Sequence, residues 1–181
     1  MVVYKGYYYF MSTTDDNTVR IRKSRTLDGI RSAQRQVVYT HQLKHTWAPE
    51  LHQWNGRWYL YYAAARTDDI STQRLHVAES DGDDPMGPYH FKADLIGKTD
   101  TTLQVDASFI QIHNKLYLMG AYDDQGRQQL FIKPMSNQRR SLLANDHYCI
   151  GSDPFESPTL AKTAGTCIQW VRSYACLFGR S

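Results

Sequence analysis

Hydrophobic and polar positions alternate along this chain in short runs, and the runs recur in one order. Lys5-Gly6-Tyr7-Tyr8-Tyr9-Phe10, Asn55-Gly56-Arg57-Trp58-Tyr59-Leu60-Tyr61-Tyr62 and His113-Asn114-Lys115-Leu116-Tyr117-Leu118 share one grammar, a turn followed by an aromatic strand. Asn55-Gly56 is a strong hairpin signal, because a two-residue turn of the favoured hand needs left-handed backbone at both central positions. A polar turn follows each aromatic strand: Asp15-Asp16-Asn17, then Arg66-Thr67-Asp68-Asp69, then Asp123-Asp124-Gln125-Gly126. Next comes a second strand with apolar residues two apart: Val19-Arg20-Ile21-Arg22, Leu75-His76-Val77-Ala78 and Leu130-Phe131-Ile132-Lys133. That period predicts one buried and one wet face. A serine stands close behind each (Ser24, Ser80, Ser136), before turn-rich segments such as Asp83-Asp84-Pro85-Met86-Gly87-Pro88.

If Tyr9, Tyr59 and Tyr117 are equivalent, the period is about fifty to sixty residues, which for an all-strand unit indicates propeller blades. Aromatic strand, turn, alternating strand, turn and outer strand is the order of a four-stranded blade. A generic antiparallel sandwich is the alternative that pattern alone leaves open. Three units fill about 140 residues, fewer than a closed propeller of roughly four to eight blades requires. The expected boundaries are blades at 1–40, 41–100 and 101–145. An aberrant tail or partial, misread fourth blade is expected at 146–181, where the aromatic pattern stops.

Composition narrows the picture by exclusion. Thirteen Tyr and four Trp in 181 residues favour β structure. The net charge of +3 is spread out, which is no nucleic-acid footprint, and no stretch is apolar enough to span a membrane. Arg20, Arg22, Lys23 and Arg25 are the densest basic cluster, and alternation makes them the solvated face of a strand. Cys149, Cys167 and Cys176 all lie near the C-terminal end, and their spacing fits no zinc pattern, so no metal is expected. The start, Met1-Val2-Val3-Tyr4-Lys5, lacks a signal-peptide layout and enters a strand at once. Localisation is therefore open. Bare blade faces and a bare strand edge predict that the chain alone is poorly stable.

His45-Thr46-Trp47-Ala48-Pro49-Glu50-Leu51, running into the Asn55-Gly56 hairpin and its aromatic strand, resembles the second blade of glycoside hydrolase family 43. Tyr7 to Phe10 with Val19 to Ser24 and Thr26-Leu27-Asp28-Gly29 is similar to the first blade. Gln104-Val105-Asp106-Ala107-Ser108-Phe109 with Lys115 to Leu118 is similar to the third, and Ile132-Lys133-Pro134-Met135-Ser136-Asn137 to its close. The resemblance covers residues 2 to about 145. It implies an all-β, five-bladed β-propeller, of which about three blades are present. It also implies an inverting, exo-acting α-L-arabinofuranosidase-like enzyme working in a central funnel, without an organic cofactor, on arabinose- or xylose-containing oligo- or polysaccharides. A β-xylosidase and a catalytically inactive carbohydrate-binding propeller are the alternatives. Relatives of this kind often act outside the cell.

An inverting glycosidase needs a carboxylic acid for the leaving oxygen and a carboxylate that activates water, set roughly 6.5–9.5 Å apart. The resemblance divides the work among three acids, the third raising and orienting the general acid through its own charge. Asp106 matches that third role. Glu156, in Glu156-Ser157-Pro158, is the candidate general acid, and the base would fall ahead of Val3-Tyr4-Lys5, before residue 1. Glu50 is a candidate sugar contact. Trp47 and Phe109, each opening a unit, are candidate stacking platforms for a sugar's C–H face. His41, His45 and His113 are weaker candidates for a hydroxyl contact. Tyr8, Phe10, Trp58, Tyr59 and Tyr117 are expected in the core.

Overall fold

The computed structural model describes residues 1–14, 16–95, 103–112, 115–124, 127–135 and 148–149. Its strands form three four-stranded sheets, in each of which every strand pairs antiparallel with its neighbours in the chain. The first sheet holds β1 (Val2–Tyr4), β2 (Tyr7–Ser12), β3 (Thr18–Ser24) and β4 (Gln36–Thr40). The second holds β5 (Lys44–Trp54), β6 (Arg57–Ala65), β7 (Gln73–Ser80) and β8 (Tyr89–Asp94). The third holds β9 (Gln104–Ile112), β10 (Lys115–Asp124), β11 (Arg127–Pro134) and β12 (Tyr148–Cys149). Its last strand therefore lies beyond residue 145, inside the stretch read from the sequence as a tail. No described helix is long and apolar enough to cross a membrane.

Two hairpins are set by the backbone the sequence supplies. Lys5 and Gly6, at φ 47° and 76°, join β1 to β2; Asn55 and Gly56, at 48° and 71°, join β5 to β6. Left-handed backbone at both central residues matches the right-handed twist of the flanking strands. Tyr9, Tyr59 and Tyr117 each fall on the second strand of a sheet.

Packing between sheets explains the aromatic strands. Trp58, Leu60, Tyr62 and Ala64 of β6 meet Tyr9, Met11, Val19, Ile21 and Tyr39 of the first sheet. The alternate residues Tyr59, Tyr61 and Ala63 meet Val105, Ala107, Leu116, Leu118 and Phe131 of the third. Trp58 through Ala65 are all buried, so β6 has two dry faces. Such burial is worth about 1.5–3 kcal/mol for each large side chain, which makes this strand the centre of the structure.

Three expectations need correction. β7 has no wet face along Leu75-His76-Val77-Ala78, since all four are buried between neighbouring sheets. β3, with one sheet packed against it, keeps the alternation expected. Phe10 is not core but 44% exposed, because it lies on the face of β2 turned away from the second sheet, and Tyr8, two residues before it, is only half-buried. Arg20 and Arg22 are more than a solvated stripe: Arg20 donates to Asp16 at 2.8 Å and Arg22 to the carbonyl of Ile30 at 3.0 Å, so both tie down adjacent loops.

Side chains also fasten the seam between the first two sheets. Tyr4 and Lys5 both donate to Asp83, joining the first hairpin to the loop after β7. His41 is buried; its Nδ1 accepts from the Leu43 N–H at 3.0 Å, so the proton sits on Nε2 and is donated to Thr46 Oγ1 at 2.9 Å. Thr46 in turn donates to the Asp16 carbonyl. This makes His41 a structural group rather than a substrate contact.

Candidate functional site

The first strands of the second and third sheets, β5 and β9, carry three bulges. Along β5, Lys44, Trp47 and Glu50 pair with Ala65, Ala63 and Tyr61, so one extra residue enters before Trp47 and another after it. Along β9, Ser108 pairs with Met119 and Val105 with Ala121, leaving Asp106 and Ala107 opposite Gly120 alone. His45, Ala48 and Asp106 sit in these bulges at φ 51°, 44° and 58°. Among the described non-glycine residues, the other positive φ values belong to the hairpin residues Lys5 and Asn55. A bulge led by a left-handed residue normally takes glycine there; a side chain costs of order 1–3 kcal/mol. Strain of that kind is confined to the strands that carry the candidate residues.

Gly120 is what allows the Asp106 bulge to close. A methyl group at its Cα would stand 2.7 Å from Phe131 Cζ and 3.1 Å from the Val105 carbonyl. The bulge re-aims Asp106 away from the plain alternation of β9. Its carboxyl is half-buried, and burial first, then the neighbouring Glu50 carboxylate, push its pKa above the ordinary aspartate value.

Glu50 and His52 are two apart on β5 and share a face. His52 Nε2 lies 3.0 Å from Glu50 Oε2; a carboxylate only accepts, so the imidazole donates. The His52 ring stands edge-on to Phe109 at 5.0 Å and to Tyr61 at 5.7 Å. Phe109 rests on Tyr61 at 3.8 Å between centroids. The ring expected to offer a platform to sugar is thus half-buried against two protein rings. Trp47 is half-buried too, packed on the core between the second and third sheets, with the His45 ring 6.4 Å away. The buried Gln73 amide donates to the His45 carbonyl and pins the first bulge.

Glu50 and Asp106 are therefore brought together, with Phe109 joined to them through His52. Glu156, His113 and Ser136 lie outside the described residues. His52 escaped the sequence reading although it stands two residues from Glu50 on an alternating strand, the pattern that could have marked it.

The arrangement offers two neighbouring carboxyls, one with a raised pKa, on the strained first strands of two sheets, flanked by aromatic rings, which suits acid–base chemistry at a sugar. A sequence model of the family described as "Glycosyl hydrolases family 43" matches residues 1–167. An extracellular exo-α-(1→5)-L-arabinofuranosidase from Streptomyces chartreusis is 30% identical over 177 residues, covering 88% of this chain and 54% of the relative. The crystal structure of α-L-arabinofuranosidase from Lactobacillus brevis matches with a TM-score of 0.71 at 27% identity, covering 80% of this chain and 50% of that one. An α-L-arabinanase of Cellvibrio cellulosa, solved with arabinohexaose, shares the fold with a TM-score of 0.58 at 16% identity, over 80% of this chain and 49% of that one. The chain spans about half the length of these relatives. Its three sheets are blades of the five-bladed propeller to which those structures belong.

Proposed function

The chain belongs to glycosyl hydrolase family 43, and on that premise we propose that the whole protein removes terminal α-L-arabinofuranosyl units from arabinan-type chains with inversion. The observation that carries this is Asp106: a half-buried carboxyl on a bulge of β9 beside Glu50, with a pKa raised above the usual aspartate range. The 30% identity to an exo-α-(1→5)-L-arabinofuranosidase supports the choice of sugar, linkage and exo action, and that relative's extracellular designation supports action outside the cell.

In the proposed reaction a carboxylic acid gives its proton to the glycosidic oxygen while a carboxylate takes one from the attacking water. The C1–O bond to the leaving alcohol breaks as the water oxygen bonds C1 from the opposite face. Asp106 is assigned the third role: ionised, it raises the pKa of the general acid and holds it in place. Glu156 is the proposed general acid. Glu50 faces Asp106 and is assigned a supporting role, and Trp47 contacts the sugar. Phe109, seated on Tyr61 and His52, is assigned to shaping the wall rather than stacking on substrate. No organic cofactor takes part in this scheme.

The test is hydrolysis of an aryl α-L-arabinofuranoside, an aryl β-D-xyloside and linear arabino-oligosaccharides by the purified protein and by Asp106→Ala. Release of arabinose from the non-reducing end, lost in the variant, is the expected result. Preference for the xyloside would move the protein to the β-xylosidases of the same family. Binding of arabino-oligosaccharide without turnover would make it a carbohydrate-binding propeller, and full activity in Asp106→Ala would remove Asp106 from the mechanism.

A further inference from the structure

We infer that His52 is a positioning residue for the Asp106 site: its hydrogen bond fixes the Glu50 carboxylate, and through it the negative charge that Asp106 meets. The inference rests on the catalytic role proposed for Asp106. Its basis is geometric. The imidazole is held on three sides, by Glu50 Oε2 at 3.0 Å, by the Phe109 ring at 5.0 Å and by the Tyr61 ring at 5.7 Å. A ring clamped between two aromatic neighbours keeps its Nε2 aimed at one acceptor, and that acceptor is the carboxylate whose charge acts on Asp106. Phe109 lies three residues beyond Asp106 on the same strand, so one rigid cluster fixes both ends of the relay.

From β5, Glu50, His52 and His45 lie on the elements packed against β9. From β6, Tyr59 and Tyr61 lie on the face that meets the third sheet, and β7, also packed against β9, carries Arg74, His76 and Glu79 besides the neutral Gln73. Opposite Asp106 on β10 is Gly120, which carries no charge. Among these, Glu50 is the one whose charge is felt at Asp106. The His52 N–H bonded to Glu50 Oε2 draws off part of that carboxylate's negative charge, so Asp106 gives up its proton more readily. Without that donor Glu50 acts on Asp106 at full strength, and Asp106 keeps its proton to higher pH.

This predicts opposite signs for two substitutions. Glu50→Gln lowers the pH at which Asp106 titrates. His52→Gln raises it, by less than a directly adjacent charge would. Because His52 acts through Glu50, the double variant titrates close to Glu50→Gln alone.

The experiment is a carboxyl ¹³C NMR titration of the whole protein, with the Asp106 resonance identified by its loss in Asp106→Asn, run beside the pH profile of kcat/KM on an aryl α-L-arabinofuranoside. His52→Asn serves as a second variant where His52→Gln does not fold. Opposite shifts that collapse in the double variant support the inference, and a role for His52 confined to packing would leave the titration of Asp106 in place. No shift with His52→Gln or His52→Asn, or a shift in the same direction as Glu50→Gln, overturns it. The NMR titration needs no turnover. Opposite shifts in a protein inert towards arabinofuranosides would keep this relay and discard the proposed reaction, while activity without the shifts would do the reverse.

Discussion

The Tyr62 ring lies against the imidazole of His41, with centroids 4.9 Å apart and planes 18° from parallel, across the seam between the first two sheets. Burial holds the His41 pKa down to about 4; the nearby His76 pushes the same way and Asp16 opposes. An unfolded histidine titrates near 6.5, so between those values the unfolded chain binds a proton that the folded one refuses. Stability is therefore full above about pH 6.5 and falls with acid down to about pH 4. The loss attributable to His41 is on the order of 3 kcal/mol at most. Urea midpoints at pH 7.5 and 4.5 should differ more in the wild type than in His41→Gln. Equal differences would show that this seam does not sense pH through His41. The buried His76, whose pKa burial also lowers despite its 2.7 Å bond to Asp94, leaves a residual slope in the variant.

Gly120→Ala should act at a distance on Asp106. The added methyl meets the buried Phe131 ring and the Val105 carbonyl at sub-contact distances, and neither can retreat without shifting the bulge. A loss of about 1–3 kcal/mol is expected, together with a fall in kcat rather than a rise in KM. Pairing it with Phe131→Leu should recover part of the stability. Unchanged melting and turnover in Gly120→Ala would mean that the bulge does not depend on this close approach.

Asp106→Asn should stabilise the protein while disabling it. A carboxyl whose folded pKa is raised contributes stability below its unfolded pKa and loses it as the pH rises through the folded value, so at neutral pH the ionised group is a burden. Asparagine keeps the shape, tolerates left-handed backbone and carries no charge. Tm at pH 7 should rise, and kcat/KM should drop about a hundredfold, the low end of the range for general acid–base catalysis, because Asp106 acts through the general acid. A lower Tm at pH 7 would contradict the burial argument.

Ser80→Ala should weaken the second sheet. Ser80 Oγ accepts from the buried Trp58 N–H at 2.8 Å and donates to the Gly82 carbonyl. Alanine strands that buried donor, at a cost of about 1–3 kcal/mol. Equilibrium denaturation reads this directly, and a change below about 0.5 kcal/mol would assign the Trp58 N–H another partner.

Much of the fold was legible because each sheet is built from local grammar. The Asn55-Gly56 and Lys5-Gly6 hairpins, the aromatic second strands and the repeat length all follow from short-range rules. β7 was misread because period-two reasoning assumes one sheet face against water, and here neighbouring sheets take both. Phe10 was misread for the converse reason, since an aromatic strand does not say which of its faces will be covered. At the candidate site, Asp106 and Glu50 were singled out by the family resemblance. Their nearness was not readable, because it depends on three bulges led by His45, Ala48 and Asp106, none of them the glycine that usually marks left-handed backbone within a strand. His52 went unnoticed because a histidine on a strand becomes informative only once its acceptor is known.

β6 has a consequence for how the second sheet finds its alignment. From Trp58 to Ala65 both faces are dry, so a slide of one position along β5 or β7 would still bury every side chain. Oil-against-water sorting, which ordinarily vetoes such a slide, has no vote on this strand. The veto passes to shape and to punctuation: the Asn55-Gly56 turn admits one phase of β5 against β6, and the Ser80 hook on Trp58 admits one phase of β6 against β7. Two small polar devices at one end of the strand thus decide which neighbouring blade each of eight buried residues will meet.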